Sequence, residues 1–203
     1  MNADRDKIEK VVRIIAEGRA WGVETLPPEI NQSKTDFTVV YDTSSKAAPT
    51  NGKARRKAKF KDPLDPKIRF GLGAIRGIGD SALIAILEAR QEGGPFSDLF
   101  DFAQRVDPTR VNKGVFEALV QCGAFDDSLK ARGIPRSRAF AAIDRALERS
   151  RTASKDRERG QTDMFGLFAK AEPAPAPGKA GPRLEEYPDT EPWDLREALA
   201  REK

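Results

Sequence analysis

Apolar residues recur at helical spacing in several stretches of this chain, and between those stretches lie runs with no hydrophobic pattern. The alternation predicts a mainly α-helical protein broken by polar linkers. From Asp6 to Gly22 the positions Ile8, Val11, Val12, Ile14, Ile15 and Trp21 alternate with charges at the period of a helix, so an amphipathic helix ending at Gly22 is expected. Val23 to Leu26 precedes Pro27-Pro28 and reads as extended, because a residue before proline is pushed out of the helical region. Asp36 to Tyr41 carries β-branched and aromatic residues in the manner of a strand, and Lys67 to Phe70 is its expected partner.

Beyond that strand the spacing becomes helical again. In Leu72-Gly73-Ala74-Ile75-Arg76-Gly77-Ile78-Gly79-Asp80-Ser81-Ala82, the residues Ala82, Leu83, Ile86 and Leu87 share one helical face, with Ile75 and Ile78 placed to pack beneath it. Gly77-Ile78-Gly79 then reads as the turn between two short helices. Glycines there reach backbone angles that other residues avoid, leave room for a partner, and put exposed N–H groups at the positive end of the next helix, which suits a phosphate. A plain connector is the alternative reading of the same residues. The stretch resembles a helix-hairpin-helix motif, whose modules usually grip one DNA strand by its backbone without reading sequence. A nucleotide loop fits less well, since the Gly-Lys-Ser/Thr ending and the third glycine of the dinucleotide fingerprint are both missing. Asp80, at the helix start, reads as a cap.

Gly93-Gly94-Pro95 stops this helix, and Phe96 to Phe102 begins another with Ser97 or Asp98 as its cap. Val106 to Val111 is a loop feeding a helix from Lys113 to Cys122, capped by Asn112 and ended by Gly123. Helix, short loop and helix therefore occur twice, and pairing the two units would bury faces that neither buries alone. The second copy lacks Gly-x-Gly and places Arg110 and Lys113 where the first presents Gly79. From Pro135 to about Arg151 a further amphipathic helix is expected, with Phe140, Ile143 and Leu147 inward and Arg136, Arg138, Arg145, Arg149 and Arg151 largely outside.

Thr43 to Pro66 is polar and contains Lys53, Arg55, Arg56, Lys57, Lys59 and Lys61. It reads as a solvated, flexible insertion, and also as a basic arm adding salt-sensitive contacts to nucleic acid; the two are compatible. Ala169 to Gly178 alternates Ala and Pro, cannot form a core, and reads as linker. Trp193 to Lys203 looks helical again without a stop signal, so a truncated helix, cut mid-element, is expected there.

Composition narrows the function classes. Of 203 residues 33% are charged and 14 are proline, with mean hydropathy −0.60, so part of the chain must be linker. A net charge of +4 tolerates a polyanion without proving one. The absence of histidine removes the usual zinc sites and histidine-based catalysis, and the single Cys122 rules out an internal disulfide. In the apolar run Leu119-Val120-Gln121-Cys122 that thiol reads as structural rather than nucleophilic. No apolar run approaches membrane-spanning length and no signal-peptide core opens the chain, which predicts a cytoplasmic protein without membrane contact.

Gln161-Thr162-Asp163-Met164-Phe165 places adjacent Met and Phe in a polar stretch, where something must bury them. A polar anchor with two apolar plugs suits a preformed pocket on another protein; packing of Met164, Phe165, Leu167 and Phe168 onto the chain's own helices is the alternative. The pentapeptide resembles the bacterial sliding-clamp-binding peptide. In that reading Gln161 bonds at the pocket rim and Met164 and Phe165 fill its floor.

Taken in order, these residues resemble the alpha subunits of bacterial DNA polymerase III, the replicative C-family polymerases. The likeness runs through Asp6 to Asn31, in particular Gly22 to Asn31, then Asp36-Phe37-Thr38, Ile68 to Gly79, Gly94-Pro95-Phe96, Leu99 to Phe102, Arg105-Val106-Asp107, Val111-Asn112-Lys113, Gly123 to Asp126 and the clamp-like peptide. It implies a mainly α fold: a small αβ N-terminal piece followed by a tandem helix-hairpin-helix bundle, with disordered linkers. The implied layout is a distal fingers piece at 1–42, a flexible basic insertion at 43–66, a tandem helix-hairpin-helix DNA-binding domain at 67–152, a linker carrying the peptide 161–165 at 153–192, and the start of a helix at 193–203.

The implied partners are double-stranded DNA, the sliding clamp (beta subunit) and the rest of the polymerase III holoenzyme. DNA contacts fall to Arg76, Gly77, Ile78, Gly79, Arg110, Asn112 and Lys113, and clamp contacts to Gln161, Asp163, Met164 and Phe165. The family's catalytic, metal-binding aspartates belong to a palm upstream of anything here, so the chain is expected to carry no catalytic residue and no metal or cofactor, the parent polymerase's magnesium included, and to be inactive alone. Two rival classes stay open: a helix-hairpin-helix protein-interaction scaffold without DNA contact, and a base-excision glycosylase or nuclease, for which Asp80 is the nearest available acid.

Overall fold

The computed structural model describes residues 8–41, 66–160 and 187–201. The basic insertion around Lys53 to Lys61 and the peptide Gln161 to Phe165 lie outside the described residues.

Helix α1 (Ile8–Ala20) forms where the periodicity predicts it, and Gly22 follows at φ 85°. Its apolar stripe is only partly covered: Val11 is buried, but Val12 is exposed and Trp21 is 73% exposed. Three short strands follow, β1 (Thr25–Leu26), β2 (Thr38–Val40) and β3 (Lys67–Arg69). β3 lies in the middle, paired with β2 as the sequence suggests, and is antiparallel to β2 and parallel to β1, with Val39 opposite Ile68 and Thr25 also opposite Ile68. An open groove of about 470 Å³ between helix and sheet is lined by Ile14, Trp21, Val23, Phe37, Val39 and Ile68.

The loop after Pro27-Pro28 joins this piece to the helical body. Ile30 is fully buried in the main core and its N–H donates to Ala124 O at 2.8 Å. The Asn31 amide pairs with both backbone groups of Phe96, at 2.7 and 2.9 Å, and Arg90 donates to the carbonyls of Ile30 and Ser33, both at 2.8 Å. Glu29 is buried in the same loop; burial pushes its pKa up against the hydrogen bond from the Asn31 N–H.

Past β3 a single 3-10 turn, Leu72–Ala74, stands where the first helix of the motif was expected. Then come α2 (Asp80–Gly93), α3 (Leu99–Arg105), α4 (Lys113–Gln121), α5 (Asp126–Lys130), α6 (Arg136–Ala141), α7 (Ile143–Gly160) and α8 (Leu195–Arg201). Asp98 caps α3, accepting from the N–H groups of Phe100 and Asp101, while Asp101 accepts from the Ser97 N–H at 2.9 Å just before the cap. Phe102 centres the core, edge-on to Phe96, Phe116 and Phe125 with ring centroids 5.0, 5.0 and 5.3 Å away. Burying each such ring contributes about 1.5–3 kcal/mol.

Several expectations are corrected here. The buried face of α2 is Ala82, Leu83, Ala85, Ile86 and Ala89; Leu87 lies at its edge, about 100° around the helix from Ile86. Asp80 is the first residue of α2 and Gly79 its cap residue. The helix expected from Pro135 to Arg151 is broken at Ala142 into α6 and α7. Arg136 and Arg138 are mostly buried rather than outward. Arg136 forks onto Asp126 at 2.6 and 2.8 Å and donates to Gln121 O, and Arg138 donates to the carbonyls of Tyr187 and Pro188 at 2.9 and 3.0 Å. Each guanidinium satisfies carbonyls or a carboxylate that packing would otherwise strand.

Tyr187 is 1% exposed, edge-on to Phe100 at 5.3 Å, and Trp193 meets Phe140 at 5.6 Å with Arg201 over both rings. The chain therefore packs back onto the helical body at Tyr187 and Trp193, which the polar composition of 153–192 did not announce.

Candidate nucleic-acid interface

The first hairpin is built by apolar residues that flank its turn. Ile75 and Ile78 are buried, and the Ile78 N–H donates to Ile75 O at 3.3 Å, which turns the chain within a few residues. Between them Arg76 and Gly77 are exposed. Gly77 has φ 89°, a conformation that costs an ordinary residue about 1–2 kcal/mol. A Cβ on Gly77 would stand 3.9 Å from the Ala118 side chain, so the turn lies over α4.

Gly79 differs. Its backbone is ordinary, φ −84° and ψ 164°, and a Cβ there would meet nothing within 4 Å. Nothing in the chain's own packing asks for glycine at this position. The cap residue of α2, Gly79, makes no side-chain cap hydrogen bond to this 14-residue helix, and Asp80 in its first turn offsets part of the positive charge there. Open space, an uncapped helix start and an exposed Arg76 meet at one place, and together they can seat an anion.

The second hairpin follows the same outline with other chemistry. Val106 and Val111 are buried in the roles of Ile75 and Ile78. The loop between them is longer and closes on itself: the Asp107 carboxylate accepts from the Thr109 hydroxyl at 2.6 Å and N–H at 2.8 Å, and these bonds hold its pKa below the usual carboxylate range. Asn112 caps α4 through its side chain, accepting from the Val115 N–H at 3.2 Å. Arg110 is paired with Glu88 of α2 at 2.8 Å, and Lys113 with Asp144 of α7 at 2.7 Å. Hydrogen bonding to Asp144 pushes the Lys113 pKa up.

The structure thus puts Arg76, Gly77, Ile78 and Gly79 at one turn, with Ile78 inside as its anchor. It places Arg110, Asn112 and Lys113 at a second turn whose polar groups already have partners within the chain. Sequence reasoning missed Ala118, the floor beneath Gly77, and the two acids Glu88 and Asp144. No local pattern marks them, because each partner is far away in sequence.

Cys122 donates to Leu119 O at 3.3 Å, and burial pushes its pKa up to about 12, so it stays a thiol at neutral pH. Among the described residues no three His, Cys, Asp or Glu side chains are grouped to hold a metal ion, and no helix is long and apolar enough to cross a membrane.

The helix-hairpin-helix motif model matches residues 22–134, a span that takes in the small sheet, the Ile30 loop and both hairpins. The chain is also similar to proteins named DNA polymerase III subunit alpha. The relative from Vibrio cholerae is 37% identical over 84% of this chain, that from Thermus aquaticus 36% over 86%, and that from Escherichia coli 32% over 100%. The likeness drawn from the sequence is borne out. The chain covers only 12%, 12% and 14% of the length of those relatives.

Proposed function

We propose, from the premise that this chain belongs to the helix-hairpin-helix motif family, that it is a noncatalytic segment of a replicative DNA polymerase of the polymerase III alpha type. In this reading it holds the backbone of duplex DNA without reading sequence and docks a sliding clamp, in the cytoplasm and within the polymerase III holoenzyme. Arg76, Gly77 and Gly79 receive the phosphate, with Ile78 as the buried pin. Arg110 and Lys113 are secondary contacts and Asn112 shapes their turn. Gln161, Asp163, Met164 and Phe165 are the clamp-docking peptide, on the strength of their sequence pattern.

The observation that carries the DNA reading is Gly79: ordinary backbone, empty space where a side chain would stand, and no cap on the helix it starts. Contact through phosphate positions a duplex without specifying bases, which suits an enzyme that must work on any sequence.

Titration of a labelled duplex with the full chain and with Gly79→Val tests it. The variant is expected to keep its circular dichroism, to drop only slightly in melting temperature because valine caps a helix less well than glycine, and to lose at least about thirtyfold in affinity, roughly 2 kcal/mol. Equal affinities would remove the hairpin from the interface. For the clamp, Met164→Ala with Phe165→Ala is expected to abolish binding, and unchanged clamp affinity would remove that role. The scaffold reading is favoured at the second hairpin alone, where every predicted contact residue already has an intramolecular partner.

A further inference from the structure

We propose that Glu88 and Asp144 compete with DNA phosphates for Arg110 and Lys113, so that these two acids set how strongly the second hairpin joins the duplex. The proposal rests on duplex binding by this chain and extends it to residues on other elements.

Both pairs are short: Arg110 Nη1 to Glu88 Oε2 at 2.8 Å, and Lys113 Nζ to the two Asp144 oxygens at 2.7 and 2.9 Å. Each joins the second hairpin to a different helix, α2 in one case and α7 in the other. Both are open to solvent, with side-chain exposures of 31% and 56% for the first pair and 50% and 74% for the second. Ion pairs this exposed contribute little to stability, so a phosphate can replace the carboxylate at small cost. Asp107 beside Arg110 and Glu117 beside Lys113 add to the negative surroundings.

Next to Lys113 a cleft of about 110 Å³ has Asn112, Lys113 and Arg151 among its lining, with Val111 and Phe116 against its apolar part. Lys113 released from Asp144 would share that cleft with Arg151, giving two cations around a phosphate-sized space. In the paired state the same lysine is neutralised. The hairpin's charge is thus present but withheld, and the strength of withholding lies in two carboxylates that touch no DNA.

The test uses the 203-residue chain and a labelled duplex over a salt series, with Glu88→Gln and Asp144→Asn made singly and together. Each is expected to tighten binding about two- to fivefold, and to steepen the log–log salt dependence by roughly 0.9 for each phosphate gained. Adding Arg110→Gln to Glu88→Gln, or Lys113→Gln to Asp144→Asn, is expected to erase the gain. Glu17→Gln on α1 controls for net charge and is expected to change little.

Unchanged or weaker binding in the acid variants overturns the proposal, since it makes the pairs scaffold. A gain that survives loss of the cation overturns it too, because long-range charge then explains the effect. If Gly79→Val binds like the parent while the acid variants still tighten binding, the first-hairpin reading fails and the competition stands. Absence of duplex binding by the parent chain overturns both.

Discussion

Gly79 at the start of α2 and Asn112 at the start of α4 share nearly one backbone, φ −84° with ψ 164° in one and φ −84° with ψ 173° in the other. The hydrophobes before them, Ile78 and Val111, are both buried. From there the hairpins part. Asn112 spends its side chain on its own helix, Asp107 on its own loop, and Arg110 and Lys113 on neighbouring acids. At Gly79 there is no side chain to spend, and the space beside it is empty. A turn that satisfies its own polar groups adds to the stability of the fold, and one that leaves its helix start uncapped adds little and stays available to a partner. The repeated backbone is a common scaffold on which residue choice decides between those uses.

The comparison breaks most visibly if the caps are made alike. Gly79→Asn supplies the missing cap, so the melting temperature should hold or rise slightly, while the new side chain fills the seat and duplex affinity drops at least about tenfold, roughly 1.4 kcal/mol or more. Stability and binding moving in opposite directions is the signature. A variant that binds as well as the parent would show that the open space has no use.

A comparable effect, on stability, is expected at the charge-built side of the body. Burial pushes the Asp126 pKa up, but hydrogen bonds and charge from Arg136, with a lesser share from Lys130, outweigh it and leave the value below the usual carboxylate range. A depressed carboxylate gives stability that is complete above its unfolded pKa and drains away as pH falls through the folded value. Arg136 also holds Gln121 O at the end of α4, so acid should loosen the second hairpin's helix. Asp126→Asn is expected to cost about 2 kcal/mol at neutral pH and to flatten the acid limb of the stability curve. Thermal melts from neutral pH down to about pH 3 read both.

Gly77→Ala tests the turn's geometry rather than its surface. Its φ of 89° makes a side chain cost about 1–2 kcal/mol, although the Cβ itself would touch Ala118 at an ordinary 3.9 Å. Loss of stability with a proportionate loss of binding is expected, in contrast to the separation expected at Gly79. The smallest effect belongs to Asn112→Gly, a few tenths of a kcal/mol in a denaturant melt and no more than a twofold change in duplex affinity.

These contrasts also mark what could be read from the sequence. The cap Asn112, a cap for α3 at Ser97 or Asp98, the apolar pins Ile75 and Ile78 and most of the α2 face follow from local spacing, because caps and amphipathic faces are written within one or two turns of helix. The pairing of β2 with β3 was legible for a similar reason, since two β-rich stretches had few other places to go. Tyr187 was not, because its burial depends on Phe100 and on carbonyls gripped by Arg138, which local periodicity does not link. The same limit hid Glu88 and Asp144 and misplaced Arg136 and Arg138 on the outside. An arginine in a charged run looks solvated until the carboxylates and carbonyls around it are known. Of the site, the first hairpin was visible in outline, and its difference from the second emerged only with side-chain partners in place.

The central claim, that the first hairpin holds a phosphate, is tested most directly by the salt dependence of duplex affinity for the full chain beside Gly79→Val. The account predicts linear log–log plots, with the variant weaker and its slope shallower by about 0.9, one phosphate fewer. Superimposable plots for the two proteins would contradict it.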